Sequence, residues 1–163
     1  MILFLFLGFT FQLLAQDRVD FGPEVQAYPT GVIPGIRIEY KNWNVRLGFQ
    51  WINHRDLGVQ DDEQGNGYGF SLGYKTNLSN KFNLLFRNDF WWNSIDWVNE
   101  NPSATGETEI FVLQPTAVLE YRKGIISDRL IPSLGFGWEW NAKTDGEATG
   151  EGAILLIGLY YRL

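Results

Sequence analysis

Apolar and polar residues alternate with a period of two along most of this chain. In Trp43-Asn44-Val45-Arg46-Leu47-Gly48-Phe49-Gln50-Trp51 the odd positions are Trp, Val, Leu, Phe and Trp, and the even positions are Asn, Arg, Gly and Gln. Tyr68-Gly69-Phe70-Ser71-Leu72-Gly73-Tyr74-Lys75 and Pro132 to Trp140 repeat the scheme. Ala153, Leu155, Ile157, Leu159, Tyr161 and Leu163 carry it to the last residue. Side chains alternate faces along a strand, so each such segment predicts a strand with one apolar and one polar face. Eight are predicted: 19–29, 35–42, 43–53, 67–77, 81–94, 109–123, 130–142 and 152–163. No convincing amphipathic helix interrupts them.

The connections alternate as well. Lys41-Asn42, 77–80 and 124–129 are short, whereas 54–66, 95–108 and 143–151 are long and polar, with 30–34 a shorter member of that second set. Most strands have about the 9–11 residues that cross a bilayer when tilted. An even number of strands, with short turns at one end and long loops at the other, predicts an all-β, antiparallel, up-and-down transmembrane barrel of eight strands. Strand eight would close the ring against strand one, because lipid leaves no backbone edge satisfied.

The choice of face follows from size. An eight-stranded interior is only wide enough for side chains to fill. Trp43, Phe49, Trp51, Phe70, Phe86, Phe90, Phe136 and their neighbours are too bulky to share it, so the apolar faces point outward to lipid. A soluble lipocalin-like carrier, with the faces reversed, is the weaker reading. Aromatic girdles are expected from Trp51, Tyr68, Trp92, Trp138 and Trp140 on the loop side and Trp43, Tyr74, Tyr121 and Tyr161 on the turn side. The polar faces then supply an interior network: Glu24, Arg37, Glu39, Arg46, Arg87, Asp89, Glu120, Arg122 and Glu139, with Arg162 beside them. Asn88 is out of place, since strict alternation aims it at lipid; a bulge near Arg87–Asp89 would turn it inward.

Residues 1–16, MILFLFLGFTFQLLAQ, are apolar and uncharged, and they match the core of a cleaved signal peptide with cleavage after Ala15 or Gln16. Residues 17–163 are then expected to form the barrel domain. The net charge of −6 argues against a nucleic-acid partner. There is no cysteine, so neither disulfides nor thiolate metal sites are available.

With this pattern the chain resembles the small eight-stranded outer-membrane barrels of the OmpA and OmpX kind. The resemblance is architectural. It implies the bacterial outer membrane, with outer-membrane lipids and lipopolysaccharide as surroundings, and a monomer. It also implies delivery to the barrel assembly machinery through a C-terminal strand that usually ends in Phe; here the end is Tyr161-Arg162-Leu163.

Candidate chemistry is thin. Some barrels of this size modify lipid A with a His, a Ser and an acid near the rim. His54, the one histidine, stands at the loop end of strand three with Asp56 nearby, but the deacylase pattern has Ser where Asp56 stands. Ser71, Ser94, Ser103 and Thr105 are nucleophile candidates by elimination only. Asp61, Asp62 and Glu63 offer oxygen ligands for a hard cation but do not match a calcium loop. No cofactor is expected, because no Gly-rich segment follows a strand and opens a helix. The expected role is structural, adhesive or surface-binding, through acidic outer loops above a plugged polar interior. A narrow channel is the alternative and a lipid A-modifying enzyme the second alternative.

Overall fold

The computed structural model describes residues 19–54, 58–100, 103–147 and 149–163. The expected leader, residues 1–16, lies outside the described residues, as does Asp56. Eight strands follow one another: β1 (Val19–Tyr28), β2 (Gly31–Tyr40), β3 (Trp43–Asn53), β4 (Asp62–Asn77), β5 (Phe82–Glu100), β6 (Ser103–Tyr121), β7 (Leu130–Asp145) and β8 (Gly152–Tyr161). Each pairs antiparallel with the next, and β8 pairs with β1, closing the barrel.

The faces are inside out relative to a soluble domain. Leu47, Phe136 and Ile157 are each about 60% exposed, while Arg46 and Asp89 are fully buried. Such a surface is stable only where the outer solvent is hydrocarbon.

Several boundaries differ from expectation. β2 starts at Gly31, so the link expected over 30–34 is a turn at Pro29-Thr30. Pro34 lies inside β2; it pairs with β1, while the ladder to β3 lacks Ile33 and Pro34. A proline nitrogen has no hydrogen to give, so it stops one ladder and leaves the other intact. β4 starts at 62 rather than 67, β5 runs on to 100, β6 starts at 103 and β7 reaches 145. Much of the expected outer loops is therefore strand. Above the bilayer the outward face meets water, so its residues turn polar and apolar alternation fades while pairing continues. The pair β5–β6 rises furthest, joined in register up to Glu100 and Ser103.

On the turn side, Lys41 takes a left-handed φ of 56° in the β2–β3 turn. Gly124 takes φ 66° in the β6–β7 turn, where a Cβ would stand 1.8 Å from the Ser127 carbonyl oxygen.

Candidate functional site: the lumen and its outer mouth

Among the described residues, buried side chains fill the lumen from the turn side up to the base of the outer mouth. Near the turn side, Lys75 on β4 donates to Glu39 at 2.6 Å, and Glu39 also accepts from Arg37. Arg37, on β2, reaches Glu120 at 2.5 Å and Glu24 at 3.7 Å, and its guanidinium lies 4.5 Å from the centre of the Tyr160 ring. One cation thus holds carboxylates from β1, β2 and β6. One step toward the outside, Arg87 pairs with Asp89 at 2.7 Å, and both Arg87 and Arg46 donate to the side-chain amide oxygen Oε1 of Gln26. Gln26 turns its amide to Glu24 at 2.9 Å, linking the two layers. Taking an ion out of water costs several kcal/mol, so this interior is tolerable only because opposite charges interleave.

The polar stack then gives way to an apolar layer. Tyr28, Ile33, Ile52, Trp91, Ile95, Ile110, Val112 and Leu156 form one buried cluster inside the outer half of the barrel. Trp91 is its largest member. Its ring sits 5.3 Å from the Arg46 guanidinium, and its indole N–H donates to Gln114 at 3.3 Å. Gln114 donates in turn to Glu139 at 2.9 Å. Trp91 therefore joins the charged stack to the apolar plug.

At the outer mouth, Nδ1 of His54 lies 2.8 Å from Glu63 of β4. The other Glu63 oxygen accepts from the N–H groups of Val59 at 2.8 Å and Gln60 at 3.0 Å. The His54 N–H also donates to the Glu63 carbonyl at 2.8 Å. Burial alone would raise the Glu63 carboxyl. The His54 hydrogen bond and the two backbone donors outweigh it and hold it below the ordinary 4.5. This residue lies five positions beyond Tyr68 on β4, on the water side of the loop-side girdle. His54 and Glu63 together clasp the β3–β4 loop at its base.

A cavity of about 150 Å³ beside His54 is lined by Thr30, Glu139 and Glu151 among others. None of Ser71, Ser94, Ser103 and Thr105 lines it; Ser94 is engaged with Glu107 at 2.6 Å. The three acidic residues 61–63 do not converge. Asp61 accepts from the Glu100 N–H at 2.7 Å, Asp62 accepts from Gln64 at 3.2 Å, and Glu63 is turned to His54. Among the described residues no group of three His, Cys, Asp or Glu is placed to hold a metal ion.

Of the expected interior residues, Glu24, Arg37, Glu39, Arg46, Arg87, Asp89, Glu120 and Glu139 are buried in the lumen. Arg122 is a correction. β6 ends at Tyr121, so Arg122 is an exposed turn residue, donating to the Ser79 carbonyl at 3.4 Å. Arg162 stands at the turn-side rim, 3.8 Å from Asp20. Trp43, Trp51, Tyr68, Tyr74, Trp92, Tyr121, Trp138, Trp140 and Tyr161 all lie on the outer surface and are at least partly exposed. Trp43 packs edge-on to Tyr74 at 5.3 Å, and Tyr68 stacks on Trp92 at 6.0 Å. Trp91, Tyr160, Gln26 and Gln114 were missed as interior residues. Parity could have found Trp91, which shares the inward register of Arg87 and Asp89.

No protein-family model matches the sequence, and no curated protein matches it. Solved structures do match. The N-terminal β-barrel domain of Pseudomonas aeruginosa OprF superposes with a TM-score of 0.58 at 11% identity, covering 89% of this chain and 96% of that one. Neisserial surface protein A gives 0.60 at 10%, covering 89% and 94%. Ail, the attachment invasion locus protein of Yersinia pestis, solved with the heparin analogue sucrose octasulfate, gives 0.52 at 11%, covering 89% and 95%. The chain shares the fold of these small outer-membrane barrels.

Proposed function

We propose that this chain is a sealed outer-membrane barrel that presents an acidic, strand-built surface above the bilayer and acts by binding there. The observation that carries the reading is the blocked lumen. The Arg37 and Arg87 ion clusters and the apolar layer around Trp91 stand in series across it, leaving the outward-rising strands as the part that meets partners.

Above the aromatic band, the outer face of β5–β7 carries Asp96 opposite Glu107 and Glu109 opposite Asp145, with the cation Lys143 opposite Phe111. Like charges directly opposite repel across a ladder, so this surface suits a cationic partner. It does not suit a sulfated polyanion such as the one bound by Ail, even though the two barrels are alike in fold. Outer-membrane lipids surround the barrel, and insertion proceeds through β8 and the assembly machinery that reads such strands.

Two measurements test this. In planar bilayers the refolded chain should show no resolved single-channel steps; regular steps would favour the channel reading. Cells displaying the chain should adhere to a polycation-coated surface better than cells displaying the triple variant Asp96→Asn, Glu107→Gln, Glu109→Gln. Equal adhesion would remove the surface-binding role.

A further inference from the structure

Asn88 lies on the lipid-facing surface. Strand β5 pairs without interruption through this point, with Asn88 opposite Leu72 on β4 and Pro115 on β6. The bulge that would have turned it inward is absent; the irregularity lies on the β6–β7 ladder, between Phe111 and Val112. Asn88 is exposed, while its neighbours Arg87 and Asp89 point into the lumen. No described side chain or backbone group hydrogen-bonds to its carboxamide.

The depth is what makes this residue informative. Asn88 stands four residues from Trp92 in the loop-side girdle and six from Phe82 beside the turn-side ring of Tyr121. A tilted strand gains roughly 2.4 Å per residue along the bilayer normal, so the amide sits about 10 Å or more below either interface. Water and lipid headgroups do not reach that depth, and acyl chains carry nothing to pair with an amide there. An unpaired amide in hydrocarbon is costly, so its natural partner is protein.

The surroundings fit a close approach. Asn88 lies in an outward groove of about 620 Å³ between β4 and β7, walled by Leu72, Phe86, Pro115, Ala117 and Phe136. Beside it the β6–β7 ladder breaks. The pairs expected at Gln114 and Pro115 are missing between Leu113–Trp140 and Thr116–Gly137. Pro115 has no N–H, so by register the carbonyl facing it, that of Trp138, loses its ladder donor.

We propose that the Asn88 groove is the interface of a homodimer in the membrane. Copies of one chain insert with the same orientation, so a two-fold axis along the bilayer normal brings each residue to its own depth on the partner. A carboxamide both donates and accepts, so two Asn88 side chains satisfy each other. The resemblance to small barrels implies a monomer, and a closed ring needs no second chain to seal its edges; Asn88 supplies a separate reason to pair.

The chain has no cysteine, so single labels are unambiguous. Leu72→Cys and Ala117→Cys flank the groove, and Ile36→Cys is an outward control on β2. Each is treated in isolated outer membranes with a short bis-maleimide, and folding is checked by the mobility change on heating. The groove cysteines should give a band of twice the mass, and Ile36→Cys should not. Adding Asn88→Leu, which suits lipid and leaves the barrel intact, should lower that band tenfold or more. The proposal is overturned if heat-shifting groove variants give no such band, if Asn88→Leu leaves it unchanged, or if the adduct has the mass of a different envelope protein.

Discussion

Arg37 concentrates the energetics of the lumen in one side chain. Its guanidinium faces Glu24, Glu39 and Glu120, all buried, so its removal leaves like charges confronting one another away from water. Arg37→Met should destabilise the barrel by about 3–5 kcal/mol, the usual penalty for breaking a buried pair from one side. Arg122→Met, on an exposed turn, should change stability by about 0.5 kcal/mol or less. Urea unfolding of the two variants in the same detergent, read by tryptophan fluorescence, distinguishes them. Equal midpoints would mean that the carboxylates find other partners.

The β3–β4 loop shows how an element outside the bilayer is held. Its clasp depends on an ionised Glu63 that accepts from His54, Val59 and Gln60. The Glu63 carboxyl titrates below its ordinary value in the folded chain. The stabilisation is therefore complete above 4.5 and is lost as pH falls from there through the folded value. Exchange of the Val59 and Gln60 amides, corrected for intrinsic rates, should quicken as pH is lowered from above 4.5 through the folded value. Glu63→Gln should give fast exchange across that whole range. Exchange that stays slow at the acid end in the native chain would mean the loop is held by something else.

At the scale of the whole molecule, closure is the vulnerable step. Among the described residues the β1–β8 seam pairs Glu24–Ala27 with Ile157–Tyr160, the shortest ladder in the ring. Below it the chains press together: a Cβ on Gly22 would lie 1.8 Å from the Tyr161 carbonyl oxygen, and the Leu163 N–H donates to the Phe21 carbonyl at 2.9 Å. Gly22→Val cannot be accommodated without moving β8 backbone. It should abolish the difference in gel mobility between unheated and boiled samples, while Phe21→Val, one residue away and facing outward, should keep it. A normal shift in Gly22→Val would show that the seam tolerates displacement.

Period two, chain parity and bulk were enough to specify the strands, their order and which face meets lipid. These are local properties, and a one-residue slip would exchange every inward and outward side chain. The interior charges were legible for the same reason, since Glu24, Arg37, Arg46, Arg87 and Asp89 share a face with their small or polar neighbours. Other features needed the ring itself. The outward extension of β4–β7 is invisible to an apolar alternation once the outer face meets water. Arg122 was misplaced because a strand's last residue is set by its partner's pairing. The Trp91 plug and the Arg37 hub arise from side chains on strands distant in sequence, brought together across a lumen only a side chain or two wide. The isolation of Asn88 is likewise tertiary: alternation aimed it outward, but only the regular pairing of β4, β5 and β6 decided that no bulge would turn it back.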